Sequence, residues 1–296
     1  MRYIDKKEEP IAFVKWKVNN QHEINQRYAK YKDKGNTEIT KSEQVWSLLR
    51  NDNRENPEFS KSDLRSLLIN EQGGICAYCG SLILNNNNTR LEHIHSKSDR
   101  IEGTFDYYNL VAVCSGGEYR VHTVLKGETV GQIAEQYATN VALIQRLNPY
   151  LDLNLDPNLI LQENDQLELK IGTEKLEINV KVNFEHCDVK KKGDPISIKP
   201  TQSDCQTKFK YEFNGIVYGN DVKDVVEKLG LNDNPYIVED RRVIREKVRN
   251  LANILIKSDP RRFKTIKNQK LEQLYANPIQ YEKMAFVHEY AWNTYL

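Results

Sequence analysis

The residues best suited to chemistry begin with Cys76 and Cys79, separated by Ala77 and Tyr78 and followed by Gly80. A tight turn at that spacing can aim both sulfurs at one zinc ion, and a glycine supplies the backbone freedom the turn needs. A closed tetrahedral site needs two further ligands. Cys114 and Cys187 are the best candidates, each beside a turn-like sequence. His186 is the runner-up ligand, and Cys205 reads as a small core residue. A redox pair is the alternative for Cys76 and Cys79, but no thioredoxin-like strand–helix–strand pattern surrounds them.

A second group of residues is interleaved with the cysteines. Glu92-His93 follows the first pair by a hairpin-length gap, Asn109 precedes Cys114, and Asp188 follows Cys187, with Lys190, Lys191 and Lys192 behind it. These types suit phosphodiester hydrolysis. A neutral histidine such as His93 can take a proton from water near pH 7. Carboxylates such as Glu92 and Asp188 can hold Mg²⁺ or Mn²⁺, which neutralises charge on a leaving oxygen. Asn109 can orient the histidine. Taken singly, each has an ordinary explanation as surface polarity, a turn residue or a solvated face.

In this order, Cys-x-x-Cys, Glu-His, Asn-Leu-x-x-x-Cys and Cys-Asp-x-x-Lys resemble an HNH endonuclease with a ββα-metal core. The resemblance implies that His93 is the general base and Asn109 the orienting residue. It also implies that Glu92 and Asp188 hold the catalytic metal, and that Cys76, Cys79, Cys114 and Cys187 hold a structural zinc. Asp188 stands where the name-giving pattern has His or Asn, and His95 is an accessory ligand or phosphate contact at most. Several segments look like a narrower group, the PtuB-like HNH nucleases of Septu and retron-associated anti-phage systems. They are Met1-Arg2-Tyr3-Ile4, 71–79, 113–117, His186-Cys187-Asp188, the Cys205 hairpin and Leu231-Asn232. That resemblance implies an ABC/SMC-like (PtuA-like) ATPase partner and foreign nucleic acid, DNA before RNA, as the substrate. A host tRNA nuclease and a catalytically silent zinc-bound adaptor stay open as alternatives.

The elements that must position these residues read as α+β. Residues 1–70 are helical; 71–118 and 172–219 form the small zinc-bound core; 220–296 are helical again. Between the core's two halves, 119–171 read as strand, helix, helix, strand. Gly127-Glu128-Thr129, Ile133-Ala134, Leu147-Asn148-Pro149 and Leu167-x-Leu169 resemble a LysM domain, with 167–171 as its closing strand. Leu176, Ile178, Val180, Val182 and Phe184 alternate as a separate strand, and Asn214-Gly215 marks a hairpin. From Asp221 on, Ile244, Val248, Leu251 and Leu255 make an apolar stripe. Arg241, Arg245 and Arg249 make a basic one, expected with Lys190 to Lys192 to track a phosphate backbone.

Composition sets the outer limits. The chain has 296 residues, 39% hydrophobic and 29% charged, with 43 Lys and Arg against 42 Asp and Glu. That balance excludes a wholesale polycation, so nucleic-acid contact must come from local patches. No segment approaches the roughly 20 apolar residues of a membrane span. The charged first ten residues lack a signal-peptide core, so the expected compartment is the cytoplasm, where five cysteines favour metal ligation over disulfides.

Overall fold

The computed structural model describes residues 1–32, 43–49, 58–96, 101–116, 119–125, 127–137, 139–148, 177–181 and 184–295. The chain forms two compact units: Met1–Ser115 with His186–Leu296, and Gly116–Glu185.

The first unit opens with α1 (Ile11–Asn19) and α2 (Gln21–Lys32), whose Phe13, Trp16 and Ile24 enter the core. Helix α3 (Lys61–Glu71) starts at Ser60, which forms a capping box with Asp63, so two orphan donors of the first turn are satisfied. Its Leu64, Leu68 and Ile69 face inward. A knuckle follows, closed by an antiparallel bridge between Ile75 and Leu82 and by Gly80 N–H on Cys76 O. Gly80 has φ 81°, and a Cβ there would lie 2.5 Å from the Phe286 ring, so the turn tolerates no side chain. Strands β1 (Thr89–His93) and β2 (Leu110–Cys114) pair antiparallel, with Thr89 opposite Cys114 and Glu92 opposite Val111. β2 is buried along its whole length.

In the second unit β3 (Tyr119–Thr123) precedes helices α4 (Val130–Gln136) and α5 (Val141–Leu147), capped by Thr129 and Asn140. β3 then pairs with β4 (Glu177–Lys181), Arg120 lying opposite Val180. The expected closing strand at 167–171 lies outside the described residues, and the unit runs past 171 to Glu185. The sequence offers two alternating segments, and β4, from the second of them, is the one seen to pair with β3. Asn148 locks it, accepting from the Asn179 N–H at 2.7 Å and donating to the Asn179 carbonyl at 2.7 Å.

Returning to the first unit, α6 (Asp188–Lys191) and α7 (Cys205–Lys208) precede a short hairpin, β5 (Lys210–Tyr211) and β6 (Val217–Tyr218). Helices α8 (Lys223–Lys228), α9 (Pro235–Ser258), α10 (Pro260–Leu274) and α11 (Ala285–Asn293) complete it. Asn234 caps α9 and Pro235 sits at its first position, where its missing N–H costs nothing.

The basic stripe of α9 is placed differently from its sequence reading. Arg241 is 2% exposed and donates to the carbonyls of Gly215 and Leu231 and to Asn232. Arg245 is also buried, with its guanidinium 4.4 Å from the Phe213 ring centroid and bonded to Thr294. Arg249 lies over the same ring at 5.3 Å. A flat guanidinium on a long apolar stem can pack in a core and cap carbonyls that a helix stripe alone would leave unpaired. Buried Arg241 and Arg245 therefore tie α9 to the hairpin, to the loop that precedes α9 and to the end of α11, and are enclosed away from a phosphate track.

A four-cysteine cluster behind a basic cleft

The knuckle contributes Cys76 and Cys79, the end of β2 contributes Cys114, and the residue before α6 contributes Cys187. Their sulfurs lie within 4.8 Å of one another, and all four residues are buried. Cys76 and Cys187 approach to 3.8 Å, Cys79 and Cys114 to 3.7 Å. Cys187 takes φ 55°, a costly conformation for a side-chain-bearing residue, and its N–H is held by Leu229 O at 2.8 Å. That strain turns the sulfur toward the other three. Hydrogen bonds from Cys114, Cys187 and Cys76 hold the Cys79 thiol well below its usual range, while burial pushes Cys187 well above. Four thiols this close can all ionise only beside a cation. The four buried cysteines are positioned to bind a metal ion, in a donor set consistent with zinc.

His186 takes a different place from that of a ligand. Its Nδ1 accepts from Asn234 at 3.1 Å, which leaves Nε2–H to donate to the Cys114 sulfur at 3.4 Å. The Cys114 N–H donates in turn to the Cys76 sulfur at 3.3 Å. Such donors orient thiolates and tune them. Cys205 is buried and stands outside the cluster.

Beside the cluster opens a cleft of about 710 Å³ lined by Glu92, His93, Asp188 and Lys191, with Lys61, Arg65, Arg90 and Lys192 and the acids Glu43 and Asp194 around them. Alternation along β1 puts Arg90 and Glu92 on one face of the strand. Glu92 is 7% exposed; its Oε1 accepts from Lys191 at 2.7 Å and from the Tyr78 hydroxyl at 3.2 Å. Burial, then the neighbouring Asp188 charge, push the Glu92 carboxyl up to about 7, with Lys191 pulling it back. Burial also raises the Tyr78 phenol well above its usual value, which keeps it a donor. Asp188 is paired with Arg90 at 3.2 Å.

The His93 ring lies edge-on to Trp46, centroids 4.9 Å apart, and its Nε2 is 3.0 Å from Thr104 O. A carbonyl only accepts, so Nε2 carries the hydrogen and Nδ1 is the basic nitrogen of the neutral ring. Thr104 therefore orients the histidine, in place of the expected Asn109. The Asn109 side chain instead accepts from the His95 N–H at 2.8 Å and donates to the His95 carbonyl at 3.0 Å, which pins the chain where it leaves β1. His95 faces a neighbouring hollow with Tyr108, its Nε2 accepting from Lys199 at 2.9 Å.

The lysine trio divides by geometry. Lys191 is 1% exposed and committed to Glu92, so it cannot follow a phosphate backbone. Lys190 is paired with Asp233 at 2.7 Å, and Lys192 lines the cleft. Sequence reasoning passed over Tyr78, Thr104, Lys61, Arg65 and Arg90. Lys61 and Arg65 were legible as an i,i+4 basic pair on one helix; Tyr78 and Thr104 carried no sequence signal.

No curated protein matches the chain. In the second unit His122, buried, contacts Tyr137 at 3.0 Å and Glu128 at 2.8 Å beneath the two capped helices. Residues 122–170 match the LysM domain family model, so the chain carries a LysM module.

Proposed function

We propose that this protein is a metal-dependent HNH endonuclease that hydrolyses phosphodiester bonds of foreign nucleic acid, DNA first, as the nuclease subunit of an anti-phage complex with an ABC/SMC-like ATPase. The observation that carries the reading is the gathering of Glu92, His93 and Asp188, from β1 and α6, into one cleft edged by Lys61, Arg65, Arg90 and Lys192. A silent adaptor has no need of a buried carboxylate, a polarised histidine and an aspartate facing the same space.

The donor sets fit both expected metals. Four cysteine sulfurs suit zinc, which would brace the ends of β2 and α6. Two neighbouring carboxylates suit Mg²⁺ or Mn²⁺, ions that usually take one or two protein carboxylates together with substrate phosphate. Held by Glu92 and Asp188, such an ion would neutralise charge at the leaving oxygen. His93 Nδ1 accepts the proton of the attacking water while Thr104 O keeps Nε2–H aimed away. Lys61, Arg65 and Lys192 supply positive charge for the flanking phosphates. The LysM module serves as a protein-contact or spacer element.

The test is incubation of the purified protein, alone and with the ATPase, with plasmid DNA and with total tRNA, each with and without Mg²⁺. Mg²⁺-dependent DNA cleavage lost in His93→Ala supports the proposal. Cleavage of tRNA alone moves the substrate to RNA, and no cleavage under any condition overturns the nuclease reading.

A further inference from the structure

Glu92 and Asp188, the two carboxylates read as ligands of the divalent ion, each already have a cation. Lys191 holds Glu92 at 2.7 Å and Arg90 holds Asp188 at 3.2 Å. Those four groups cancel, and the rest of the lining sets Lys61, Arg65 and Lys192 against Glu43 and Asp194, so the cleft by itself offers a divalent ion little net attraction. An entering ion also meets the positive charges of Lys191 and Arg90 at close range.

The two cations are not equivalent. The Lys191 side chain is 1% exposed and Glu92 9%, so that pair is enclosed and stays. The Arg90 side chain is 52% exposed and Asp188 20%, on the solvent side of the cleft. A half-exposed ion pair is weak and easily exchanged, and a guanidinium fork matches phosphate oxygens as well as it matches a carboxylate. A phosphodiester in the cleft thus offers Arg90 a partner of equal geometry, and releases Asp188 at the place where positive charge is then wanted.

We infer that Arg90 is an exchangeable guard over Asp188: it moves from the aspartate to the phosphodiester when nucleic acid enters, so nucleic acid and the divalent ion bind as a coupled pair. The inference rests on the reading of Glu92 and Asp188 as the divalent-ion pair. It adds an order of events: without nucleic acid the site holds its ion weakly, which keeps the hydrolytic centre unassembled until a phosphate backbone is in place. Arg90 acts here on Asp188 without nucleic acid and on the phosphate with it. By linkage, whatever factor nucleic acid contributes to ion binding, the ion returns to nucleic-acid binding.

The experiment is Mn²⁺ titration of the zinc-loaded full chain, followed by the electron paramagnetic resonance signal of free Mn²⁺. It is run with and without a phosphorothioate-blocked DNA duplex, with the duplex's own Mn²⁺ uptake subtracted. In the parent protein the duplex should tighten Mn²⁺ binding about tenfold, within the usual range for two coupled ligands. Arg90→Gln should bind Mn²⁺ without duplex about as tightly as the parent does with it, and lose most of the further gain. Arg90→Lys, which keeps the charge, should retain the coupling. Zinc content and far-ultraviolet circular dichroism establish that the variants fold. Equal Mn²⁺ affinity of the parent with and without duplex overturns the inference, as does an Arg90→Gln protein that behaves like the parent. Absence of a saturable Mn²⁺ site in parent and Arg90→Gln alike, or a site that survives Asp188→Asn, overturns the ion assignment to Glu92 and Asp188 beneath it.

Discussion

Replacing Cys187 with serine exchanges one sulfur of a buried set of four for a weak ligand, and the strain at its φ of 55° is then no longer offset. Metal binding to a site absent from the unfolded chain adds to folding free energy. Cys187→Ser should therefore lose bound zinc and melting temperature together, read by elemental analysis and calorimetry. Undiminished zinc with an unchanged melt would remove Cys187 from the site. His93→Ala should separate the two properties. On the proposed nuclease reading it should leave the cluster and its metal content in place and remove the base, with a loss of about 10²–10⁴ in cleavage rate. If that variant cuts at the parent rate, the proton goes elsewhere.

At the scale of elements, α9 buries more of its charge than its sequence suggests. Arg241 satisfies two buried carbonyls and the Asn232 side chain from the middle of α9. Arg241→Met should cost about 2–6 kcal/mol, since the two buried carbonyls left unpaired cost roughly 1–3 each. Chemical denaturation measures it, and a loss below 1 kcal/mol would return Arg241 to a surface role. Lys192→Ala, at the cleft edge, should leave stability unchanged and lower the salt slope of nucleic-acid binding by about 1. On α11, burial lowers the His288 pKa below its usual value. The unfolded state then binds the proton more readily than the folded one, so His288 subtracts stability as pH falls through about 6.5 and below. Denaturation midpoints from pH 7.5 to 5 should fall less steeply in His288→Gln than in the parent, and parallel curves would reject the assignment.

At the scale of the whole molecule, Cys114 and Cys187 bring the two ends of the first unit's chain break side by side at one cluster, although the second unit lies between them in sequence. The entropy of closing an unstructured segment grows only as the logarithm of its length, so a short flexible linker can bridge that break. Replacing 116–185 with a Gly/Ser linker should leave zinc content and the melt of the first unit unchanged. Loss of zinc or of cooperative melting would show that the first unit needs the second to fold.

What the sequence determined by itself was local. Cysteine spacing, the alternation over 176–184 and the Asn214-Gly215 turn each act over a few residues, where neighbours along the chain set the physics. The four-cysteine set and the α+β character follow from such signals, and so does the LysM module. The tertiary structure decided everything that depends on burial. Three α9 arginines and three consecutive lysines look alike as charges. Only packing reveals that Arg241, Arg245 and Lys191 are enclosed against carbonyls, rings or a carboxylate, while Lys192 faces the cleft. The same holds for Thr104 in place of Asn109 beside His93, and for 177–181 as the strand paired with β3. Contacts between residues far apart in the chain leave no periodicity to read, and desolvation, which fixes what a charge does, exists only once the chain has closed around it.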